Sequence, residues 1–384
     1  MPTRVSSRTA AVEPFLAMEV AERAFQMQRD GVDVIHLEIG EPDFRPPPAA
    51  IDAAAEALAA GVTRYTDSRG DAELRAAIAE VHSRRAGTAI TPEQVIVTTG
   101  SSSAMLLVFS LLIDPGDEVI VGTPHYPCYP NFIRYCGGEP VLVPTDPQRG
   151  YQLDIDAVRA ARTERTRAVV VNSPANPTGA IQGPDTLRAL ADLGLPLVSD
   201  EIYDGIVYGD APVTSAARVS EQAFVIDGFS KRYAMTGFRL GYAIVPPDAM
   251  RPLQVLQQNL FICANSFVQR AGIAALRRGA EQVEDMRSAY RARRDLLLAG
   301  LRQLGFRVPV EPQGAFYVFA DARGFGGDSR VLAFEILERA HVGVTPGVDF
   351  GAAGEGWLRF CYAVSKPSIE EALERLERVL PELA

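Results

Sequence analysis

Apolar and polar positions change their spacing several times along this chain, and each change marks a different element. Between 13 and 30, Phe15, Leu16, Val20, Ala21, Ala24 and Phe25 recur at three- and four-residue intervals, which predicts a helix ended by Gly31. Residues 34–39 alternate as a strand does and run into Gly40-Glu-Pro-Asp-Phe44. Helices are predicted over about 49–60 and from about Asp71, whose side chain can cap the second. From residue 91 short apolar runs alternate with helical stretches. The runs 94–98, 118–121, 140–143, 167–171, 195–199, 224–226 and 241–245 read as strands. A long helical region, about 248–303, then leads to strands at 306–310, 314–319 and 357–361.

Strands separated by helices imply a mainly parallel sheet, and ligands of such sheets bind beyond the carboxyl ends of the strands. Here those ends deliver Ser101, Tyr126, Asn176, Asp200 and Lys231. Residues far apart in sequence are therefore expected to converge. The expected fold is α/β: a large domain with a mainly parallel central sheet flanked by helices in three α/β/α layers, plus a smaller α+β domain. A length of 384 residues is long for one hydrophobic core and agrees with two domains.

Composition narrows the function. The chain is 47% apolar and 22% charged, as ordinary soluble globular chains are, and its net charge of −10 argues against a nucleic-acid or anionic-membrane surface. The N-terminus lacks an apolar leader core, and no 18-residue apolar run occurs. Cys128, Cys136, Cys263 and Cys361 show no C-x-x-C spacing and no dense disulfide pattern, which points to a reducing compartment, the cytoplasm. His36, His82, His125 and His341 are scattered without metal-ligand spacing, so no metal is expected.

The stretch 223–242 carries the most specific chemistry. Lys231 sits among Phe229, Tyr233, Ala234 and Met235, surroundings that disfavour an ammonium and leave an amine able to attack carbonyl carbon. Arg239 follows between Gly237 and Gly241, and its planar fork suits a phosphate. Together they suggest a phosphorylated aldehyde cofactor. Thr99-Gly-Ser-Ser-Ser103 reads as a small-residue loop before an apolar helix over 104–112, and it offers backbone N–H groups and hydroxyls to an anion, without the Lys-Ser/Thr that closes a nucleotide loop. Tyr126 can give a flat stacking surface, and Asn176 a side-chain amide. Gly40 allows a backbone amide close to a ligand. Arg359 interrupts an apolar strand, where a charge needs a partner or a ligand. Tyr65, in a loop, reads on its own as a packing residue.

Gly40-Glu-Pro-Asp-Phe44, Asn176-Pro-Thr-Gly179, Asp200-Glu-Ile-Tyr203, Ser230-Lys231, Gly237-Phe-Arg239-Leu-Gly241, Pro312-Gln-Gly-Ala-Phe-Tyr317 and Arg359 occur in one order over nearly the whole chain. In this the sequence resembles the class I/II aminotransferases of the fold-type I pyridoxal-phosphate enzymes. The resemblance implies that Lys231 forms a Schiff base with pyridoxal 5'-phosphate and shuttles a proton, and that Asp200 pairs with the ring nitrogen. Tyr203 and Asn176 would bond the ring's phenolic oxygen, Tyr126 would stack on the ring, and Ser101, Ser102 and Arg239 would hold the phosphate. Arg359 would clamp the substrate carboxylate with Asn176 and the Gly40 amide.

The resemblance also implies a homodimer in which Tyr65 reaches the partner's phosphate. It divides the chain into residues 1–47 and 286–384, forming the small domain, and 48–285, the large cofactor-binding domain. Two departures stand out. Many relatives carry Ser or Thr where this chain has Gly228, and Ser230 is the nearest replacement. Aspartate-specialised relatives often have tryptophan at the place of Tyr126, or lysine at that of Ser102. These differences favour a neutral, aromatic or broad-range L-amino acid donor, with 2-oxoglutarate or pyruvate as acceptor. An aspartate-preferring aminotransferase and a carbon–sulfur β-lyase on the same cofactor remain alternatives. The effector half of a transcriptional regulator fits less well, since no DNA-binding domain accompanies the motifs.

Overall fold

The computed structural model describes residue 3, residues 5–209 and residues 213–383. The alternating stretch at 34–39 forms a strand only at Ile35–His36 (β1). Seven strands follow: Val95–Thr98 (β2), Glu118–Thr123 (β3), Glu139–Pro144 (β4), Thr166–Asn172 (β5), Leu197–Asp200 (β6), Ala223–Gly228 (β7) and Gly241–Ile244 (β8). They make one sheet in the order β2-β8-β7-β6-β5-β3-β4, in which β3 to β7 are paired parallel and β8 runs antiparallel to both neighbours.

Continuous apolar runs arise because this sheet is buried on both faces. Along β5, Ala168 and Val170 pack on one side with Val108 and Phe109 of the Ser101–Leu112 helix. Val169 and Val171 pack on the other, with Leu74 and Ile78 of the Ala72–Ala86 helix. With both faces filled by helices, an open crevice is left only at the strand ends.

The second unit holds Tyr317–Asp321 (β9), Val342–Gly343 (β10), Thr345–Pro346 (β11) and Trp357–Cys361 (β12). β12 lies between β11 and β9, antiparallel to each, while β1 pairs parallel with β10 and so ties the N-terminal segment to the C-terminal one. Leu297, Leu298 and Leu301 of the Ala280–Gln303 helix join Phe316, Val318, Leu358 and Phe360 in its core.

Three expectations need correction. Residues 306–310 form no strand; Arg307 makes one isolated bridge to Asp321. The helical region 248–303 is three helices, Pro247–Leu260, Ser266–Arg278 and Ala280–Gln303, the first break containing Ile262 at φ +66°. The helix expected from 104 starts at Ser101. Among the described residues no helix is long and apolar enough to cross a membrane, and no cluster of side chains could hold a metal ion.

Gly241 shows how closely the sheet meets that helix start. A Cβ there would lie 2.4 Å from the Gly100 carbonyl carbon and 2.5 Å from the Ser101 nitrogen, both backbone atoms. Gly241→Ala is therefore expected to destabilise the protein by about 1–3 kcal/mol, the usual cost of overpacking. A lowered midpoint in chemical denaturation checks this; an unchanged midpoint would show that the backbone at 100–101 yields freely.

Candidate active site

β5, β6 and β7 run side by side, with Asn172 in register with Asp200 and Asp200 with Ile226. Their carboxyl ends therefore open on one place, and a pocket of about 230 Å³ lies there. Gly40, Ser101, Ser102, Tyr126, Asn176, Asp200, Tyr203, Lys231 and Arg359 all line it. Two expected residues do not. Arg239 is exposed at the rim, in the left-handed region at φ +51°, with its guanidinium against the Gly100 turn; a Cβ on Gly100 would lie 2.5 Å from its Nη2. Tyr65 is 83% exposed and is not among the lining residues. Ser230 is buried but does not line the pocket.

Lys231 follows β7 by three residues and donates from Nζ to the Gly40 carbonyl at 2.6 Å. Burial lowers its proton affinity to about 8, with the Arg359 and Arg239 charges acting the same way against the opposing influence of Cys361 and Glu41. Gly40 has to be glycine, because a Cβ would meet the Tyr317 hydroxyl at 2.0 Å. That hydroxyl in turn hydrogen-bonds the Tyr203 hydroxyl at 2.8 Å.

Asp200 closes β6 and is buried. It accepts from the Tyr129 hydroxyl at 2.7 Å and from the Ile202 N–H at 3.2 Å, and among the described residues it has no ion-pair partner. Burial pushes its carboxyl up to about 6 despite both hydrogen bonds. A buried carboxylate held by neutral donors is a site prepared for a cation.

Arg359 lies in β12, the central strand of the small sheet, and is buried there rather than facing water from an edge. It donates to Asn176 Oδ1 at 3.0 Å, to Thr345 Oγ1 at 3.0 Å and to the Glu38 carbonyl. Its guanidinium lies 4.4 Å from the Tyr317 ring centroid and 5.1 Å from that of Phe350. Asn176 is fixed by the Asn172 side chain, which accepts from its N–H at 2.8 Å.

Sequence reasoning passed over several lining residues. Tyr129, three residues beyond Tyr126 in the Cys128–Tyr135 helix, meets Tyr126 edge-on at 5.4 Å and carries the hydrogen bond to Asp200. Phe15, Ala17 and Met18 come from the start of the Leu16–Arg29 helix, where Asp349 accepts from the Leu16 and Ala17 N–H groups at 2.9 and 3.1 Å. Ile39, Met105 and Phe132 complete the apolar wall. Phe15 is the N-cap of that helix, outside its stripe of buried residues.

The residues present fit pyridoxal phosphate. Asp200 lacks the cation that a protonated ring nitrogen would supply, Lys231 is a desolvated amine, and the Gly100–Ser101 turn with Arg239 is an open anion cradle.

The family model for aminotransferase class I and II matches residues 32–376. An aspartate/prephenate aminotransferase of Thermus thermophilus is 41% identical, covering 98% of each chain. A valine–pyruvate aminotransferase of Mycobacterium tuberculosis is 40% identical over 99% of this chain and all of that one. The solved structure of aspartate aminotransferase from T. thermophilus with maleate superposes with a TM-score of 0.94 at 42% identity, covering 98% of this chain and 100% of that one. The chain belongs to the class I and II aminotransferases.

Proposed function

We propose that this aminotransferase uses pyridoxal 5'-phosphate to move the amino group of a neutral, aromatic or broad range of L-amino acids to a 2-oxo acid such as 2-oxoglutarate or pyruvate, by ping-pong exchange. The observation that carries the substrate class is the pocket wall. Phe15, Ala17, Met18, Ile39, Met105 and Phe132 are apolar, and among the described residues Lys231 and Arg359 are the only cations in the lining. With Arg359 taken by the α-carboxylate, this chain's described lining leaves no further cation for a second carboxylate on the side chain.

In this reading Ser101, Ser102 and Arg239 would hold the cofactor's phosphate, Tyr126 would stack on its ring, and Asp200 would pair with the ring nitrogen. Tyr203 and Asn176 would bond the ring's hydroxyl oxygen. When bound, the group supplies a carbonyl for the amine and a ring that accepts the electron pair left by the broken Cα–H bond. Lys231 Nζ takes that proton from the substrate Cα. Arg359 receives the α-carboxylate bidentately, with Asn176 and the Gly40 N–H beside it. Residues 1–47 and 286–384 would close as the small domain over 48–285 and exclude water. Tyr65 would complete the phosphate site of a second copy in a homodimer.

Lys231→Ala is expected to abolish turnover and the cofactor's visible band while leaving the far-UV circular dichroism unchanged. In the wild type the ammonium is lost above about pH 8. Uptake of added pyridoxal phosphate by the apoprotein should therefore quicken with pH and level off past that point. A rate still climbing at the pH where an exposed lysine titrates would sink the desolvated-amine assignment.

Asp200 allows a stability test. Its folded-state pKa is raised, so the folded chain binds the proton more tightly than the unfolded one. The ionised carboxylate thus costs stability that is intact below about pH 4 and lost as pH rises toward about 6, roughly 3 kcal/mol in all. Asp200→Asn should raise the apoprotein's unfolding midpoint near neutral pH and still cut activity about 100-fold or more. Loss of both stability and activity would mean that Asp200 serves the fold.

Substrate class is read from a panel of amino acids in single turnover. Leucine or phenylalanine should exceed aspartate in kcat/KM by about tenfold or more, and Ser102→Lys should shift that ratio toward aspartate. Aspartate as best donor to the wild type would replace this reading with the aspartate-preferring one.

A further inference from the structure

A second cavity, of about 480 Å³, shares no lining residue with the pocket at the strand ends. Its wall contains Arg84, Arg85, Arg232 and Arg287 against the carboxylates of Asp204 and Glu284. Four guanidinium groups in one concavity are a strong local departure for a chain with net charge −10. The volume is in the range of small-molecule sites.

The pairing of these charges is uneven. Arg287 is held by Glu284 at 2.6 Å and donates to the Val207 carbonyl at 3.3 Å. Arg85 pairs with Asp204 and lies 3.5 Å from Asp227. Arg84 reaches Glu80 at 3.8 Å, with both side chains exposed at the mouth. Arg232 makes no ion pair among the described residues, and its buried Nε and Nη1 have no hydrogen-bond partner. Its guanidinium lies 5.8 Å from the neighbouring Tyr233 ring. Burial, and next the charge of Arg232, lower the proton affinity of Arg85, so the two guanidinium groups feel each other.

A guanidinium cannot relieve this by losing its proton, and buried unpaired donors are costly. An anion brought from outside removes both penalties at once. We propose that this cavity binds a small oxyanion, the phosphate or carboxylate group of a metabolite, with Arg232 as its anchor and Arg84 at its mouth. The site stands one residue along the chain from Lys231 and, through Asp204, one residue from Tyr203.

Calorimetric titration of the cofactor-loaded enzyme with inorganic phosphate, and separately with succinate, at constant ionic strength tests this. At least one probe should bind, and Arg232→Gln should weaken it about tenfold or more. The tighter of the two identifies which oxyanion the site takes. Arg84→Glu, on an exposed side chain that folding tolerates, should weaken the same probe severalfold and keeps the test open if Arg232→Gln fails to fold. Failure of both probes to bind the wild type, or binding that neither substitution alters, overturns the proposal. Because neither Arg232 nor Arg84 lines the pocket of Lys231 and Arg359, that failure would leave the proposed transamination standing.

Discussion

Three distant stretches of chain meet on the guanidinium of Arg359. It projects from β12 of the small sheet, donates to Asn176 just beyond β5 of the large sheet, and donates to the backbone carbonyl of Glu38 in the N-terminal segment. A buried arginine is tolerable only with such partners, so its burial fixes all three segments relative to one another. The Tyr317 ring beneath it carries the hydroxyl that reaches Tyr203 and confines Gly40, whose carbonyl receives Lys231. Together with the backbone hydrogen bonds from Gln313 to Gly179 and from Ala315 to Ile206, this charge holds the two units against each other around the amine.

The large sheet explains why this happens where it does. Its strands are apolar on both faces and covered by helices on both. Polar side chains can leave that sandwich only at strand ends, and Asn172, Asp200 and Lys231 do so on adjacent strands. Burial at those ends is incomplete enough to admit a ligand and deep enough to shift protonation, upward for Asp200 and downward for Lys231. The same desolvation that disfavours each charge makes each responsive to a partner.

Legibility from sequence followed this physics. Strands buried on both faces write themselves as continuous apolar runs, so the large sheet and the residues at its ends could be read directly, and Arg359 stood out as a charge inside such a run. The stretch 34–39 misled because its alternation looks like pairing. Leu37 still donates its N–H to the Gly343 carbonyl of β10, but its own carbonyl accepts from the Cys361 N–H of β12, and the Glu38 carbonyl accepts from the side chains of Arg359 and Thr345. Burial there does not follow the alternation either, since the polar Glu38 is as buried as Leu37, so no face of this stretch turns to water as a half-buried strand's would. Tyr129 and the Phe15–Met18 wall were hidden for a different reason. Aromatic and apolar residues at helical spacing carry the same pattern whether they face a core or a ligand, and only the tertiary fold separates the two. Arg232 is the extreme case, since nothing local marks it as lacking a partner.

The pocket's charged groups are each left one partner short, and the pattern of shortage has a direction. Arg359 keeps a buried Nε without an acceptor, and Asp200 has no cation. A chain under selection for stability alone would pair such groups or replace them with apolar ones. Between them stands an amine whose burial has weakened its hold on a proton. A ligand that satisfies all three must present an anion to Arg359, a cation to Asp200 and an electrophilic carbon to Lys231. No single amino acid offers that set. An amino acid together with a cationic aromatic aldehyde does, which is why the proposed reading needs both molecules in this pocket at once.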